Sequence, residues 1–244
     1  MAGKKSAGES VRGSAGAEGD AQLPLRERKK RLTRQRISAV ATELFIERGF
    51  DDVSVAEVAR AAEVSTMTVF NYFPRKEDLF LDRIPEAVEL VVRGVRERGA
   101  DEAPLAALRR LALELFAQGH PLGGPKEGFQ HFWRTVLDSS ALRARAREAV
   151  EEIEGALAGA LAEAAGGDPA RPDRDARLAA ALIVAGWRTA FVDGAARQLA
   201  GDPADAVAVD HEAVIRHTFD VLERALPDGG RGRTGRSRAA RRTA

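Results

Sequence analysis

Residues 54–79 read SVAEVARAAEVSTMTVFNYFPRKEDL, and few backbones satisfy that order of side chains. Ser54 and Glu57 stand in the capping-box relation, in which the serine oxygen accepts from an early backbone N–H while the glutamate reaches back, so a helix is predicted to begin at Val55. Val55, Val58, Ala59 and Ala62 then mark one apolar face. Ser65 is a second N-cap; behind it Val69, Phe70 and Phe73 can pack inward, leaving Thr66, Met67, Thr68, Asn71 and Tyr72 to face outward, and Pro74 closes the helix. Two short helices joined by about four residues, the second carrying small hydroxyls near its N-terminus, fit a helix-turn-helix whose second helix enters a DNA major groove.

Four motifs extend this reading: LFIERGF at residues 44–50, VARAA at 58–62, VSTMTVFNYF at 64–73 and KEDL at 76–79. Together they resemble the DNA-binding domain of the TetR/AcrR family of bacterial transcriptional regulators, over roughly a fifth of the chain. The resemblance implies an all-α protein, with an N-terminal three-helix helix-turn-helix domain followed by a larger helical effector-binding and dimerisation domain. It implies a double-stranded DNA operator, palindromic, from which a small apolar or amphipathic effector releases a repressor; an activator of the same fold is the alternative. By the same resemblance Thr66, Met67 and Phe70 are expected at base edges, and Ser54, Thr68, Asn71, Tyr72 and Lys76 at phosphates, with Ser65 in the same contact surface. Two residues depart from the family pattern. Glu63 stands where the turn usually has glycine, and is expected either to take a left-handed conformation at about 1 kcal/mol or to alter the turn. Phe70 stands where the family often has tyrosine, which exchanges a hydroxyl contact for an apolar approach to a thymine methyl.

Charge is unevenly distributed over the 244 residues. The net charge is only +1, yet residues 25–36 hold seven basic side chains against one acid, and residues 228–244 hold six arginines against one aspartate, so the segment between them is acidic. Such a run alone is a solvated helix start. Placed directly before a helix-turn-helix, Arg26, Arg28, Lys29, Lys30, Arg31, Arg34 and Arg36 point instead to phosphate contact, with Arg28, Lys29 and Lys30 as the chosen candidates.

The domains expected are a disordered extension at 1–24, the DNA-binding domain at 25–75, the ligand-binding and dimerisation domain at 76–227, and a disordered basic tail at 228–244. Ile37, Val40, Ala41, Leu44 and Phe45 predict a first helix that Gly49 stops. Leu79, Phe80, Ile84, Ala87, Val88, Val91 and Val95 predict a long helix from Lys76 to about Arg98, kinked at Pro85. Further helices are expected at 104–118, 126–139, 141–165, 173–200 and 209–226.

Two features of the body suggest sites. Phe116, Phe129, Phe132, Trp133, Val136, Trp187 and Phe191 concentrate most of its aromatic residues; each taken singly is best read as core, but the resemblance raises the cluster to an effector cavity, with Arg188, His131 and the indole N–H groups as polar handles. Ala179, Ala180, Ala181, Ala185, Gly186, Ala190 and Gly194 make the 173–200 helix small-sided, and Val214, Ile215, Phe219, Leu222 and Leu226 form a stripe on 209–226. Such residues serve a tight monomer core equally well; the resemblance implies a homodimer through these two helices.

Other classes find little support. The chain lacks cysteine, which excludes disulfides and Cys-based metal sites and fits a reducing cytoplasm; His120, His131, His211 and His217 lack zinc-site spacing. No cofactor, metal or catalytic residue is expected, because nucleophile elbow, phosphate loop, HExxH and paired carboxylates are all missing. No apolar run is read as reaching the ~18 residues of a membrane span, so a soluble protein is expected. A basic protein that coats DNA without reading it is the remaining rival.

Overall fold

The computed structural model describes residues 24–226, so the expectations for residues 1–23 and for the tail beyond 227 lie outside the described residues. Among the described residues ten helices run in order: α1 Leu25–Arg48, α2 Val55–Ala61, α3 Thr66–Tyr72, α4 Glu77–Phe80, α5 Ile84–Arg96, α6 Pro104–Ala117, α7 Phe129–Asp138, α8 Ser140–Ala164, α9 Arg174–Ala200 and α10 Ala204–Ala225. The described residues contain no strand, as the all-α expectation requires.

In the head, local chemistry sets the helix ends. Ser54 Oγ accepts from Glu57 N at 3.2 Å while Ser54 N donates to Glu57 Oε2 at 2.8 Å, which completes the capping box at α2. Glu63 does adopt the left-handed conformation, with φ +52°. Its turn is closed by Val64 N donating to Ala59 O at 2.9 Å, the 6→1 bond of a Schellman motif that usually rests on glycine. Ser65 caps α3 by accepting from Thr68 N at 3.0 Å.

Ile37, Ala41, Phe45, Val58, Val69 and Phe73 form the head core, but that core does not end at residue 75. Leu79 and Phe80 of α4 complete it from below, and Val136 and Leu142 enter it from α7 and α8. The single helix expected from Lys76 to Arg98 is in fact α4 and α5, separated by a break at Leu81 (φ −93°, ψ 43°). Pro85 therefore opens α5 rather than kinking a longer helix. In the first turn its missing N–H leaves no hydrogen bond unmade. The break is pinned to α1, where Ser38 Oγ donates to Asp82 Oδ2 at 2.5 Å and Arg34 Nη2 donates to the Asp82 carbonyl at 2.9 Å.

The body core is built from Val95, Leu105, Leu108, Leu157, Leu161, Ala180, Ile183 and Phe219. In it α9 packs between α8 and α10, α5 lies on α8 and α6, and α6 also meets α10. The last helix starts at Ala204, five residues before its expected start, because Pro203 sets the entry and Val207 is already buried.

The outer sides of α9 and α10 correct two expectations. Gly186 faces α10 of its own chain, where a Cβ would stand 2.8 Å from Thr218 Cγ2, and Ile215, Phe219 and Leu222 are buried in the body. That stripe is internal packing. What remains exposed is a second apolar side, Leu178, Leu182 and Val192 on α9 with Val209 and Val221 on α10. Because α9 is apolar on both sides, it is, contrary to expectation, long and apolar enough to cross a membrane by length and composition, although 33% of that window is buried inside the protein.

Candidate nucleic-acid interface

The surface that the head turns outward is α3 and its N-terminus. Val69 is fully buried and Phe73 nearly so, which fixes the helix by one side. On the other, Met67 is 69% exposed and Phe70 44% exposed, with Ser65, Thr66 and Asn71 exposed beside them. Phe70 thus does not pack inward as its spacing allowed. Tyr72, expected outward, is half-buried against the head core instead. The exchange follows from rotation: Val69 and Phe73, four residues apart, already occupy the inward stripe, and residue 70 lies about 100° away from residue 69.

Not every candidate polar side chain here is available to a ligand. Ser54 Oγ lies 2.8 Å from Glu57 Oε2, and Ser65 and Thr68 pair their hydroxyls at 2.8 Å, so all three serve the caps first. Those bonds to Ser54, together with Arg48, hold the Glu57 carboxyl down to about 2. Lys76 Nζ donates to the Phe50 carbonyl at 2.6 Å and sits 4.3 Å above the Phe50 ring. Its ammonium therefore anchors α4 to the α1–α2 turn, and burial lowers its pKa although Asp51 and Glu77 oppose the shift. Arg34 is committed likewise, donating to the carbonyls of Tyr72 and Asp82 with its guanidinium 4.2 Å from the Phe73 ring. Arg28, Lys29 and Lys30 are exposed on the first turns of α1.

The residues expected to line one effector cavity are split into two groups. On α7, Phe132 stacks on Phe80 of the head at 4.9 Å and continues to Phe129 at 6.0 Å and Trp133 at 5.2 Å; Val136 lies in the head core. The second group belongs to the body: Phe116 and Phe191 flank His211 at 5.6 Å and 5.9 Å, and Trp187 meets Phe219 edge-on at 6.3 Å. Arg188 and His131 are exposed, so neither is a buried handle. Helix α7 packs against both α1 and α9, and that bridging position is what pulls its aromatic side chains toward the head. An open hollow of about 490 Å³ lies between α6 and α10, lined by Arg109, Leu113, Phe116, Glu212 and Arg216; of the expected residues it includes Phe116.

Sequence reasoning missed the polar groups that tie the parts together. Arg145 on α8, its side chain 9% exposed, donates to Asp78 of α4 at 2.8 Å and to Glu152 at 2.7 Å. Ser139 Oγ donates to Asp51 at 3.0 Å. Lone Arg, Asp or Ser residues far apart in sequence carry no signal that they meet.

His120 and His211 both have their pKa lowered by burial; Glu86 opposes the shift at His120, and the Gly123 backbone opposes it at His211. Both are harder to protonate when folded, so their contribution to stability is present above the unfolded value of ~6.5 and is lost as pH falls through it. The melting temperature is expected to drop between pH 7.5 and 5.5, and the drop to be smaller in His211→Leu. An equal drop in that variant would remove His211 as a source.

These features, an exposed helix capped by Ser65 on a three-helix head, have the form of a helix-turn-helix head on a helical body. The family model described as "Bacterial regulatory proteins, tetR family" matches residues 37–82. TcmR, an HTH-type transcriptional regulator of Streptomyces glaucescens, is 33% identical over 147 residues, 59% of this chain and 65% of TcmR, just under two thirds of that relative's length. BetI, an HTH-type transcriptional regulator of Pseudomonas aeruginosa, is 29% identical over 181 residues, 73% of this chain and 85% of BetI. The crystal structure of native NalD from Pseudomonas aeruginosa shares the fold with a TM-score of 0.51 at 22% identity, covering 78% of this chain and 96% of NalD. The head of the chain, residues 37–82, is thus similar to the DNA-binding domain of the TetR family, and the described fold is similar to that of a solved regulator.

Proposed function

We propose that the protein is a dimeric transcriptional repressor, acting on DNA in the cytoplasm, that leaves a palindromic operator when a small apolar or amphipathic effector binds its body. The observation that carries this reading is the outward side of α3, where Thr66, Met67, Phe70 and Asn71 stand clear of the core beside the Ser65-capped helix N-terminus. Thr66, Met67 and Phe70 are assigned to base edges. Asn71 and the exposed Arg28, Lys29 and Lys30 are assigned to phosphates, with Ser54, Ser65, Thr68 and Tyr72 contributing through atoms that the caps and core leave over. Lys76 acts by holding α4 in place. Residues 25–75 would read DNA while 76–227 bind effector and pair with a second copy through the exposed side of α9 and α10, where even Thr189 turns its hydroxyl back onto Ala185 O at 2.8 Å. The relatives' names as regulators, and the fact that the best-formed exposed surface is a recognition helix, favour this over an enzyme.

Selection of bound duplexes from random DNA tests it. A palindrome with half-site centres about 34–36 Å apart is expected; enrichment of no motif would favour a DNA-coating protein. On the selected site Thr66→Ala should cost on the order of 1 kcal/mol and leave random DNA unaffected. Replacing Arg28, Lys29 and Lys30 together by alanine should weaken both DNAs alike and reduce the salt slope by about 2–3 units.

A further inference from the structure

Between α6 and α7 the chain GHPLGGPKEG, residues 119–128, forms a strap over the end of α9 and α10. Gly124 lies directly on the imidazole of His211: its φ is +146°, and a Cβ there would stand 2.4 Å from His211 Cδ2 and Nε2. Gly123 fits as closely on α6, where a Cβ would stand 2.4 Å from the Leu115 carbonyl. Only glycine tolerates both approaches. Pro125 then packs on Gly194 of α9, and Gln198 one turn further along α9 donates from Nε2 to the Lys126 carbonyl at 2.7 Å.

Under this strap two buried polar atoms have no hydrogen-bond partner. Gln198 is 6% exposed and His211 3% exposed; neither Gln198 Oε1 nor His211 Nε2 makes a hydrogen bond of good geometry, although the Gly123 backbone faces the imidazole. Buried polar groups are paired in the great majority of cases, so two orphans beneath one loop call for an occupant. The bond to Lys126 fixes the amide orientation, because only the NH₂ group donates. Gln198 Oε1 is therefore an acceptor that lacks a donor. His211 Nε2 is either a lone pair or an N–H, and takes whichever role the occupant leaves. Phe116 and Phe191 supply flat apolar walls around it.

We propose that Gln198 and His211 form the polar end of the effector site, that the strap fills this site in the unliganded protein, and that the effector is an apolar ring compound bearing a hydroxyl or amide N–H that donates to Gln198 Oε1. The inference rests on the regulator reading above and names the chemical class that reading leaves open. A single buried water would satisfy the same atoms, and the test separates the two.

The test compares 2-naphthol with 2-methoxynaphthalene, equal in flat apolar body and different in one donor, by calorimetry on the full chain, with operator binding measured in parallel. The naphthol should bind at least tenfold tighter than the ether, accelerate hydrogen exchange in the strap amides, and weaken operator binding severalfold. In Gln198→Met the preference should shrink to less than twofold, with the melting temperature reporting that the fold persists. If that variant does not fold, His211→Leu takes its place, with the naphthol affinity expected to fall. No binding of either compound up to millimolar concentration overturns the proposal in favour of water. So does equal binding, or a preference that survives in Gln198→Met. Naphthol binding with unchanged operator affinity overturns the assignment as an effector site. If the operator is bound normally while the naphthol fails, only this inference falls; if no operator exists, the regulator reading falls irrespective of the naphthol.

Discussion

Leu182→Glu combined with Val192→Glu is expected to yield a folded monomer of 26.2 kDa with operator affinity lower by about 10²–10⁴-fold. Both side chains are exposed on the side of α9 that faces away from α8 and α10, so the charges enter water in the monomer and disturb none of its core. In a two-fold interface each would meet its symmetry mate's surroundings, desolvating four carboxylates across one apolar patch. The loss of affinity follows because two heads held together engage the second half-site at a high effective concentration, which a monomer forfeits. Sedimentation decides the matter: a variant that remains dimeric and binds its operator normally would move the interface elsewhere. Phe219→Asp is a poorer probe, since that ring is buried within the chain and its loss would unfold the body.

Arg145→Met should lower stability by about 2–4 kcal/mol, the upper range for a broken buried pair being discounted because Glu152 is half exposed. For a chain of this size that corresponds to a melting temperature lower by roughly 5–15 °C. Methionine keeps the aliphatic stem, so the effect isolates the guanidinium, which leaves behind the carboxylate of Asp78 on α4. Since Arg145 joins the body helix α8 to the element under the recognition helix, operator affinity should fall too. A double-mutant cycle with Asp78→Asn should show the two changes to be coupled. If the variant melts within 2 °C of the wild type, the network is surface decoration.

Much of the head was legible because its chemistry is local. The pairs Ser54/Glu57 and Ser65/Thr68 close hydrogen bonds across three residues, and Glu63 turns left-handed where the helix that ends at Ala61 lets Val64 bond back to Ala59. The misplaced details have local causes as well. Phe70 and Phe73 both looked fit for the inside, yet a seven-residue helix buries one narrow stripe, which Val69 and Phe73 fill. Around Pro85 the apolar periodicity continues on both sides and predicts a kink within one helix, whereas Asp82 and Arg34 pull the chain out of the helix just before it.

By itself, then, the sequence determined most of the helices, the caps of the head and the likeness of residues 37–82 to the TetR family, since these depend on neighbours a few residues apart and on one contiguous set of motifs. Tertiary structure alone decided which side of α9 lies inside, for alanine, leucine and valine occur all round that helix and periodicity does not choose between two apolar faces. It also decided that Phe132 serves the head while Phe116 and Phe191 serve the body, and that Lys76 and Arg34 hold the protein's own carbonyls. Above all it decided that Gln198 and His211 lie unsatisfied beneath a glycine strap some 70 to 90 residues earlier in the chain. The physical reason is the same in each case: burial and hydrogen-bond satisfaction depend on which distant segment arrives, and residue type records only what a side chain is able to do there.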